Sequence, residues 1–160
     1  KSDIGFHIQG NDNSVRWGQG KTLANASDET FSLDSDEGGN HKLNLDIHGN
    51  DNSVAGFQRN GAQNQYSGHT ATLYIYANDN SLWVKQENDG AKTLNYTSRT
   101  DDNTGHIVQM GSGIHTSTIN LTGTYPSTLN LLQNSSTNQS YTLTQNCVTV
   151  GGCSVTITQE

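Results

Sequence analysis

The residues of this chain that are best suited to ligand chemistry are three aspartates that recur in one tripeptide. Asp12, Asp51 and Asp79 each lie between two asparagines. Carboxylate and amide oxygens are the ligands that Ca²⁺ prefers in proteins. The same residue types also suit tight turns, because Asn and Asp tolerate left-handed backbone and hydrogen-bond to their own turn. The three aspartates are therefore candidate calcium ligands, and solvated turn residues are the alternative interpretation.

The histidines do not show the spacing of a transition-metal site. None of the six stands in a His-x-His or His-x3-His pair, the spacings that bring two imidazoles to one ion within a single element. The six are His7, His41, His48, His69, His106 and His115. From the sequence we therefore predict no metal site apart from the calcium candidates, and no other cofactor.

Motifs of catalysis are also missing from the sequence. There is no Gly-x-Ser-x-Gly, no phosphate-binding loop and no context that would activate a cysteine. Carboxylates suited to glycoside hydrolysis occur, but any acidic chain offers such pairs. We predict that the protein is not an enzyme and has no catalytic residues.

Two tryptophans offer a different kind of site. Trp17 and Trp83 follow two of the Asn-Asp-Asn tripeptides at nearly the same distance. Aromatic rings that share an exposed face are suited to stacking on a sugar, whereas rings on an inner face belong to the core. The pair is a candidate glycan-binding face, and stacked core aromatics are the alternative.

A repeated phrase indicates which elements would position these residues. Gly10-Asn11-Asp12-Asn13-Ser14-Val15 returns in nearly the same form over residues 49–54 and 77–82. Alternating apolar residues precede and follow each copy. Six residues after the second Asn of each copy there is a Gln, at Gln19, Gln58 and Gln86.

This pattern predicts the fold class. Apolar residues of period two indicate strands with one buried face, and a repeated strand–turn–strand unit indicates stacking. We therefore predict an all-β protein, a β-solenoid of stacked strand–turn–strand repeats that forms a single domain over residues 1–160. A β-sandwich is the alternative. Strong copies begin near residues 2, 41 and 69, and weaker copies begin near 103 and 127.

Composition limits the partners. Only 30% of the 160 residues are hydrophobic, 14% are charged, and the net charge is -7. An acidic chain disfavours nucleic acid as a partner, and no apolar run approaches the ~20 residues that a membrane-spanning helix needs. One acidic group is interpreted as a solvated loop and contains Asp28, Glu29, Asp34, Asp36 and Glu37.

Two cysteines near the end of the chain indicate an oxidising compartment. Cys147 and Cys153 flank a segment that contains Gly151-Gly152, and a hairpin turning there would bring the two thiols together. A disulfide hairpin around residues 147–153 fits an exported protein, and two reduced thiols are the alternative. Because the chain opens on Lys1 without a Met, we expect a processed, secreted protein of the cell surface or the extracellular space.

The repeat resembles that of curlin, the subunit of bacterial curli fibres. Curlin repeats read approximately Ser-x5-Gln-x-Gly-x2-Asn-x5-Gln, with apolar residues two and four after the Ser. The first copy has Ser2, Gly10, Asn13 and Gln19 in this register, with Ile8 in place of the inner Gln. Later copies keep part of the pattern, and their matching positions are Gly49, Asn52, Gln58, Asn80, Gln86, Gln109, Gly111, Gln133 and Asn138.

The resemblance implies a structural function. It implies Asn and Gln ladders that hydrogen-bond along the stack, and open strand edges that template another subunit. The protein would then be an extracellular subunit that assembles with itself or with co-subunits into curli-like fibres for biofilm matrix or surface adhesion. The alternative is a monomeric, secreted, β-rich adhesin or carbohydrate-binding module that recognises surface glycans. Calcium would stabilise such a module, since Gly10-x-Asp12 and Gly49-x-Asp51 resemble part of a calcium β-roll repeat.

Overall fold

A computed structural model shows the chain as a stack of parallel β-strands. It describes residues 3–21, 40–60, 68–88 and 90–160. These residues contain thirteen strands and no α-helix, so the described chain has no apolar helix of membrane-spanning length. The acidic group within residues 28–37 and Ser2 lie outside the described residues.

The strands are short, and we number them in the order in which they occur along the chain. They are β1 (Asp3–Ile4), β2 (Ile8–Gln9), β3 (Ser14–Lys21), β4 (Lys42–Leu43), β5 (Ile47–His48), β6 (Ser53–Asn60), β7 (Ser81–Glu87), β8 (Lys92–Thr93), β9 (Thr104–Met110), β10 (His115–Gly123), β11 (Ser127–Asn134), β12 (Gln139–Cys147) and β13 (Cys153–Gln159).

The strands stack as rungs, each with a first arm and a second arm. We number the rungs 1 to 6, and they span residues 3–21, 42–60, 70–87, 92–110, 115–134 and 139–159. The second arms are β3, β6, β7, β9, β11 and β13, which form one six-stranded sheet in that order. The first arms pair in the same order, through the β1–β4, β8–β10 and β10–β12 ladders and through single bridges at Thr70.

All of these pairings are parallel. The predicted all-β solenoid is therefore confirmed. The sandwich alternative is wrong, because its sheets would be built from antiparallel neighbours.

Inward-pointing residues alternate along both arms and form the core between the two sheets. In rung 2 these residues are at most 3% exposed, and they are Leu43, Leu45, Ile47 and Val54. The same columns continue through the stack to buried residues such as Leu121 and Leu129. Burying one such side chain contributes about 1.5–3 kcal/mol, so the apolar columns hold the two arms of each rung together.

Trp17 and Gly56 show how one large residue fits into a column. Trp17 pairs in register with Gly56, and its ring packs against the core. A Cβ at Gly56 would lie 2.7 Å from Cζ3 of Trp17 and 2.2 Å from the carbonyl oxygen of Val84. Only glycine leaves room for the indole here, since real Cβ atoms do not approach other heavy atoms so closely.

The first arm of rung 3 is irregular. Its only ladder contacts are the bridges of Thr70 to Lys42 and to Thr93. The residues that follow have positive φ values of 139°, 79°, 97° and 52°, and they are Leu73, Tyr74, Ile75 and Tyr76. These values lie outside the strand region, so this arm does not form a regular strand. Its inward residues Leu73 and Ile75 are nevertheless buried in the core.

The two cysteines form a disulfide, with a Cα–Cα distance of 5.8 Å. It closes the corner between the arms of rung 6. The expected antiparallel hairpin is not formed, because β12 pairs with β10 whereas β13 pairs with β11. The corner itself is a tight turn in which the Gly152 N–H donates to the Thr149 carbonyl over 3.0 Å.

The weaker copies lie half a unit out of the predicted register. The curlin-like pattern predicts copies that begin near residues 103 and 127, with Gln109 and Gln133 at its inner Gln position. The structure instead places β9 and β11 among the second arms, where Gln109 pairs with Gln86 and with Gln133. The first arms of these rungs begin earlier, at Lys92 and His115.

Candidate functional site

A continuous ladder of glutamines runs through all six rungs. Its members are Gln19, Gln58, Gln86, Gln109, Gln133 and Gln159. In each step the Nε2 amide donates to Oε1 of the glutamine in the next rung, and the five bonds measure 2.7, 2.7, 2.8, 2.9 and 2.8 Å. Parallel strands lie about 4.8 Å apart, a spacing that lets stacked amides bond directly. The ladder therefore satisfies polar groups that are buried inside the solenoid.

The same amides also join the two arms of a rung. Gln86 Nε2 donates to the carbonyl of Thr70 over 2.9 Å, and Gln109 Nε2 donates to that of Thr93 over 3.0 Å. Gln86, Gln109 and Gln133 each donate both along the stack and across the rung. Sequence reasoning missed Gln159, although Gln159 follows Cys153 by the same six residues that separate Asn13 from Gln19.

A second ladder of asparagines lines the corner between the arms. Its members are Asn13, Asn52, Asn80 and Asn103, and Ser127 takes the next position. The backbone N–H groups of Asn52 and Asn80 donate to the side-chain oxygen of the preceding asparagine, each over 3.0 Å. Asn103 is the fourth member because Asp101-Asp102-Asn103 follows the turn pattern and Gln109 comes six residues later.

The turn aspartates form an exposed column at the same corner. Their backbone is in the left-handed conformation, with φ of 53°, 56°, 56° and 59° at Asp12, Asp51, Asp79 and Asp102. This conformation is the turn role that Asp supports at low cost. Among the described residues, the only group of three or more acidic, His or Cys ligand atoms close enough for a metal ion does not include them. The left-handed backbone of these residues therefore supports the turn interpretation.

The opposite corner holds a buried basic column. His41, His69, Lys92 and His115 are fully buried. The backbone N–H of His69 donates to Nδ1 of His41, and that of Lys92 donates to Nδ1 of His69, each over 3.2 Å. Lys92 Nζ donates to three carbonyl oxygens, those of Gly90, Gly111 and Gly113, over 2.9, 2.9 and 2.7 Å. These bonds replace the hydration that the buried ammonium loses.

Two predicted turn residues belong to this second corner. Gly111 follows β9 and offers its carbonyl to Lys92, so it is not equivalent to Gly10 and Gly49, which approach one another at the Asn corner. The side-chain oxygen of Asn138 accepts from the N–H of Ile114 over 2.9 Å. It stands just before a first arm, away from the ladder of Asn13, Asn52 and Asn80.

The two tryptophans lie in neighbouring columns that point in opposite directions. Trp17 lies in the inward column of Gly56 and Val84. Trp83 lies in the outward column, where its ring stacks on His106 with a centroid distance of 4.8 Å. The distance from the Asn-Asp-Asn tripeptide to the tryptophan differs by one residue between the two copies. A shift of one residue along a strand moves a side chain to the opposite face of the sheet. The pair therefore does not form a shared glycan-binding face.

Both ends of the described stack leave strand edges without a neighbour. At the rung-1 end, β1 and β3 each pair on one side only, and at the rung-6 end the same holds for β12 and β13. Inward-facing residues are uncovered at the first end, where Ile4, Phe6 and Ile8 are 45%, 50% and 40% exposed. At the other end the inward residues are only partly buried, and they are Tyr141, Leu143, Val155 and Ile157.

The fold and the two amide ladders define a class of protein, the parallel β-solenoid with polar ladders and open ends. No known protein family, curated protein or solved structure matches this chain.

Proposed function

We propose that the protein is an extracellular structural subunit that assembles head to tail into curli-like fibres, with the rung-6 end of one molecule stacked on the rung-1 end of the next. The observation that carries this proposal is the match between the two ends. Exposed strand edges pair readily with other edges, and here both edges belong to the same regular stack.

The apolar columns continue across such a junction. Val155 and Ile157 occupy the columns of Val15 and Trp17, as the unbroken register through the second arms defines. Leu143 occupies the column of Phe6, because the first arms keep one register from Lys42 through Thr70 to rung 6. Stacking would thus bury apolar residues against apolar residues, and each Å² removed from water contributes about 25 cal/mol.

The glutamine ladder gives the junction a direction. All five amide bonds point from the lower rung to the higher one, so Oε1 of Gln19 is the acceptor at the start of the ladder. This oxygen is buried and has no hydrogen-bond partner in the described part of the chain. At the other end, Nε2 of Gln159 makes only a 3.4 Å contact with the Ser140 carbonyl. A head-to-tail junction would join this donor to that acceptor once a local rearrangement uncovers the buried oxygen.

The disulfide supports an extracellular location for the subunit. Disulfides persist in secreted and cell-surface proteins and are rare in the cytosol. Cys147 and Cys153 form one within rung 6. The rung that would contact the next molecule is therefore cross-linked between its two arms.

Two end variants test the assembly. Phe6→Lys places a charge at the rung-1 end, and Leu143→Lys places one at the rung-6 end. We expect the wild type to form filaments with a cross-strand repeat of about 4.8 Å in electron microscopy and diffraction. Each variant alone should remain monomeric, whereas an equimolar mixture should give a discrete heterodimer, because one intact end of each type remains.

Ile114→Lys is the matched control, since Ile114 is 48% exposed at a corner and Phe6 is 50% exposed at an end. This variant should form filaments as the wild type does. Circular dichroism would verify that all three variants fold. A wild type that stays monomeric when concentrated, or end variants that polymerise normally, would overturn the proposal.

A further inference from the structure

An exposed cluster on the outer face of the first arms brings three metal-ligand groups together. Asp46 Oδ1 accepts hydrogen bonds from His7 Nδ1 over 3.1 Å and from His48 Nε2 over 2.7 Å. The ligand atoms of the three residues all lie within 4.8 Å of one another. His7 belongs to rung 1, whereas Asp46 and His48 belong to rung 2, so the stacking of rungs creates the cluster.

We propose that His7, Asp46 and His48 bind a Zn²⁺ ion on the outer face of rungs 1 and 2. Two imidazoles and one carboxylate form a donor set that zinc prefers, whereas calcium prefers oxygen alone. The side chains are 61%, 25% and 33% exposed, which leaves solvent access for a water molecule as fourth ligand.

The site needs only local adjustment to hold the ion. Ligand atoms about 2.0–2.2 Å from a tetrahedral ion lie roughly 3.3–3.6 Å from one another. The ligand atoms lie within 4.8 Å of one another, so the His7 and His48 rings would have to rotate to reach that separation. The ion would replace the N–H contacts that now join both rings to Asp46, and each neutral ring would then carry its proton on the other nitrogen.

Neighbouring residues support the three ligands. Tyr76 Oη donates to Asp46 Oδ2 over 3.0 Å, which orients the carboxylate so that Oδ1 faces the histidines. The Tyr76 ring also stacks on His48, with centroids 4.9 Å apart. Burial would raise the pKa of Asp46, but hydrogen bonds from Tyr76 and His7 and the charge of His48 lower it below its ordinary value. The carboxylate is therefore ionised, as a ligand must be.

The second nitrogen of His7 has a partner of its own. Gln9 Nε2 lies 3.4 Å from His7 Nε2. When Nδ1 binds the ion, Nε2 carries the ring proton, and rotation of the Gln9 amide presents its oxygen as the acceptor. Such outer partners fix the tautomer of a ligating histidine.

Titration of the monomeric protein with ZnCl₂ in a calorimeter tests the site without reference to assembly. We expect one ion per chain, and Co²⁺ should give the visible absorption of a tetrahedral complex. His7→Ala and His48→Ala should each remove both signals. Tyr76→Phe should keep the stoichiometry and weaken binding by about 10–100-fold, the usual effect of losing an outer partner.

His106→Ala is the matched control, because His106 is exposed and stacks on Trp83 outside the cluster. It should bind Zn²⁺ as the wild type does. If the wild type shows no stoichiometric binding, or if His48→Ala binds as tightly as His106→Ala, the site does not exist. The result is independent of the fibre proposal, since the end variants Phe6→Lys and Leu143→Lys leave all three ligands in place.

Discussion

Gln86 lies in the middle of the glutamine ladder and is fully buried. Gln86→Ala leaves Nε2 of Gln58 and Oε1 of Gln109 without their partners. An unpaired buried polar group costs about 1–3 kcal/mol. We therefore expect urea denaturation to show a loss of roughly 2–6 kcal/mol in the free energy of unfolding.

Gln159→Ala is the control for this prediction. Gln159 ends the ladder, is partly exposed and accepts only from Gln133. Its removal takes a partner from one buried group, Nε2 of Gln133, so the loss should be about 1–3 kcal/mol, half of that expected at Gln86. Equal losses at the two positions would contradict a ladder whose interior members depend on both neighbours.

His69 makes the stability of the protein depend on pH. Its burial first, and then the charge of His41, lower its pKa from 6.5 to about 3. In the unfolded chain the His69 imidazole takes up a proton near pH 6.5, whereas in the folded chain it does so only near pH 3. The contribution of this group to stability is therefore complete above pH 6.5 and is lost as the pH falls toward 3. At pH 5 the loss from this group amounts to about 2 kcal/mol.

Denaturation at a series of pH values checks this effect, with His69→Gln as the comparison. The variant lacks the titrating group but keeps a side-chain acceptor for the Lys92 N–H, which now donates to His69 Nδ1. Its stability should fall less steeply than that of the wild type between pH 6.5 and 4. Parallel curves would show that His69 does not contribute.

Gly56 makes a prediction about packing at a single residue. Gly56→Ala would place a methyl group against the Trp17 ring and the Val84 carbonyl. Overpacking of this kind costs about 1–3 kcal/mol. Gly5→Ala is the matched control, because a Cβ at Gly5 meets nothing within 4 Å. Melting temperatures of the two variants should differ, and a harmless Gly56→Ala would contradict the close approach.

At the scale of the element, rung 6 is the rung whose two arms are joined by a disulfide. The disulfide closes a short loop, for which restriction of the unfolded chain predicts about 2 kcal/mol of stabilisation. Replacing Cys147 and Cys153 together by Ser should lower the free energy of unfolding by that amount and should leave the spectrum of a β-protein intact. Loss of the whole fold would show that the solenoid depends on the bond far more than its corner position implies.

The repeat units also show how far sequence reasoning reaches. Each of the three strong copies contains the Asn-Asp-Asn turn, the alternating apolar residues and the Gln. Their strands and their ladder positions therefore follow from the period of two and from turn chemistry. In rungs 4 to 6 the turn loses Asn or Gly, and a strand pattern alone does not say which arm it forms. In these rungs the register of the second arms is indicated by a constant distance of six residues to the next Gln, measured from Asn103, Ser127 and Cys153.

The proposed zinc site lies beyond the reach of spacing rules for a different reason. His7 and Asp46 are 39 residues apart and meet only because their rungs stack. The segment between them includes residues 22–39, whose length sets no register by itself. A search for paired histidines within one element excludes such a site, whereas a search down the columns of an aligned solenoid finds it.

At the scale of the whole molecule, the strands of each described rung pair only with those of the rungs beside it. Stability in such a stack is a sum of local terms, and opening starts at the ends. Amide hydrogen exchange should therefore be slowest in β7 and β9 and faster in β3 and β13. Uniform protection across the six second arms of the free monomer would show instead that the stack opens only as one unit.

The uneven spacing of the glutamines has a practical consequence. Successive members are 39, 28, 23, 24 and 26 residues apart, yet every amide bond is made. The longest unit thus carries 39 - 23 = 16 residues more than the shortest, and the extra chain lies between β3 and β4. A guest peptide inserted there should leave the glutamine ladder intact, because the ladder already spans its longest interval at this point. In a filament, copies would recur every six rungs, or about 29 Å.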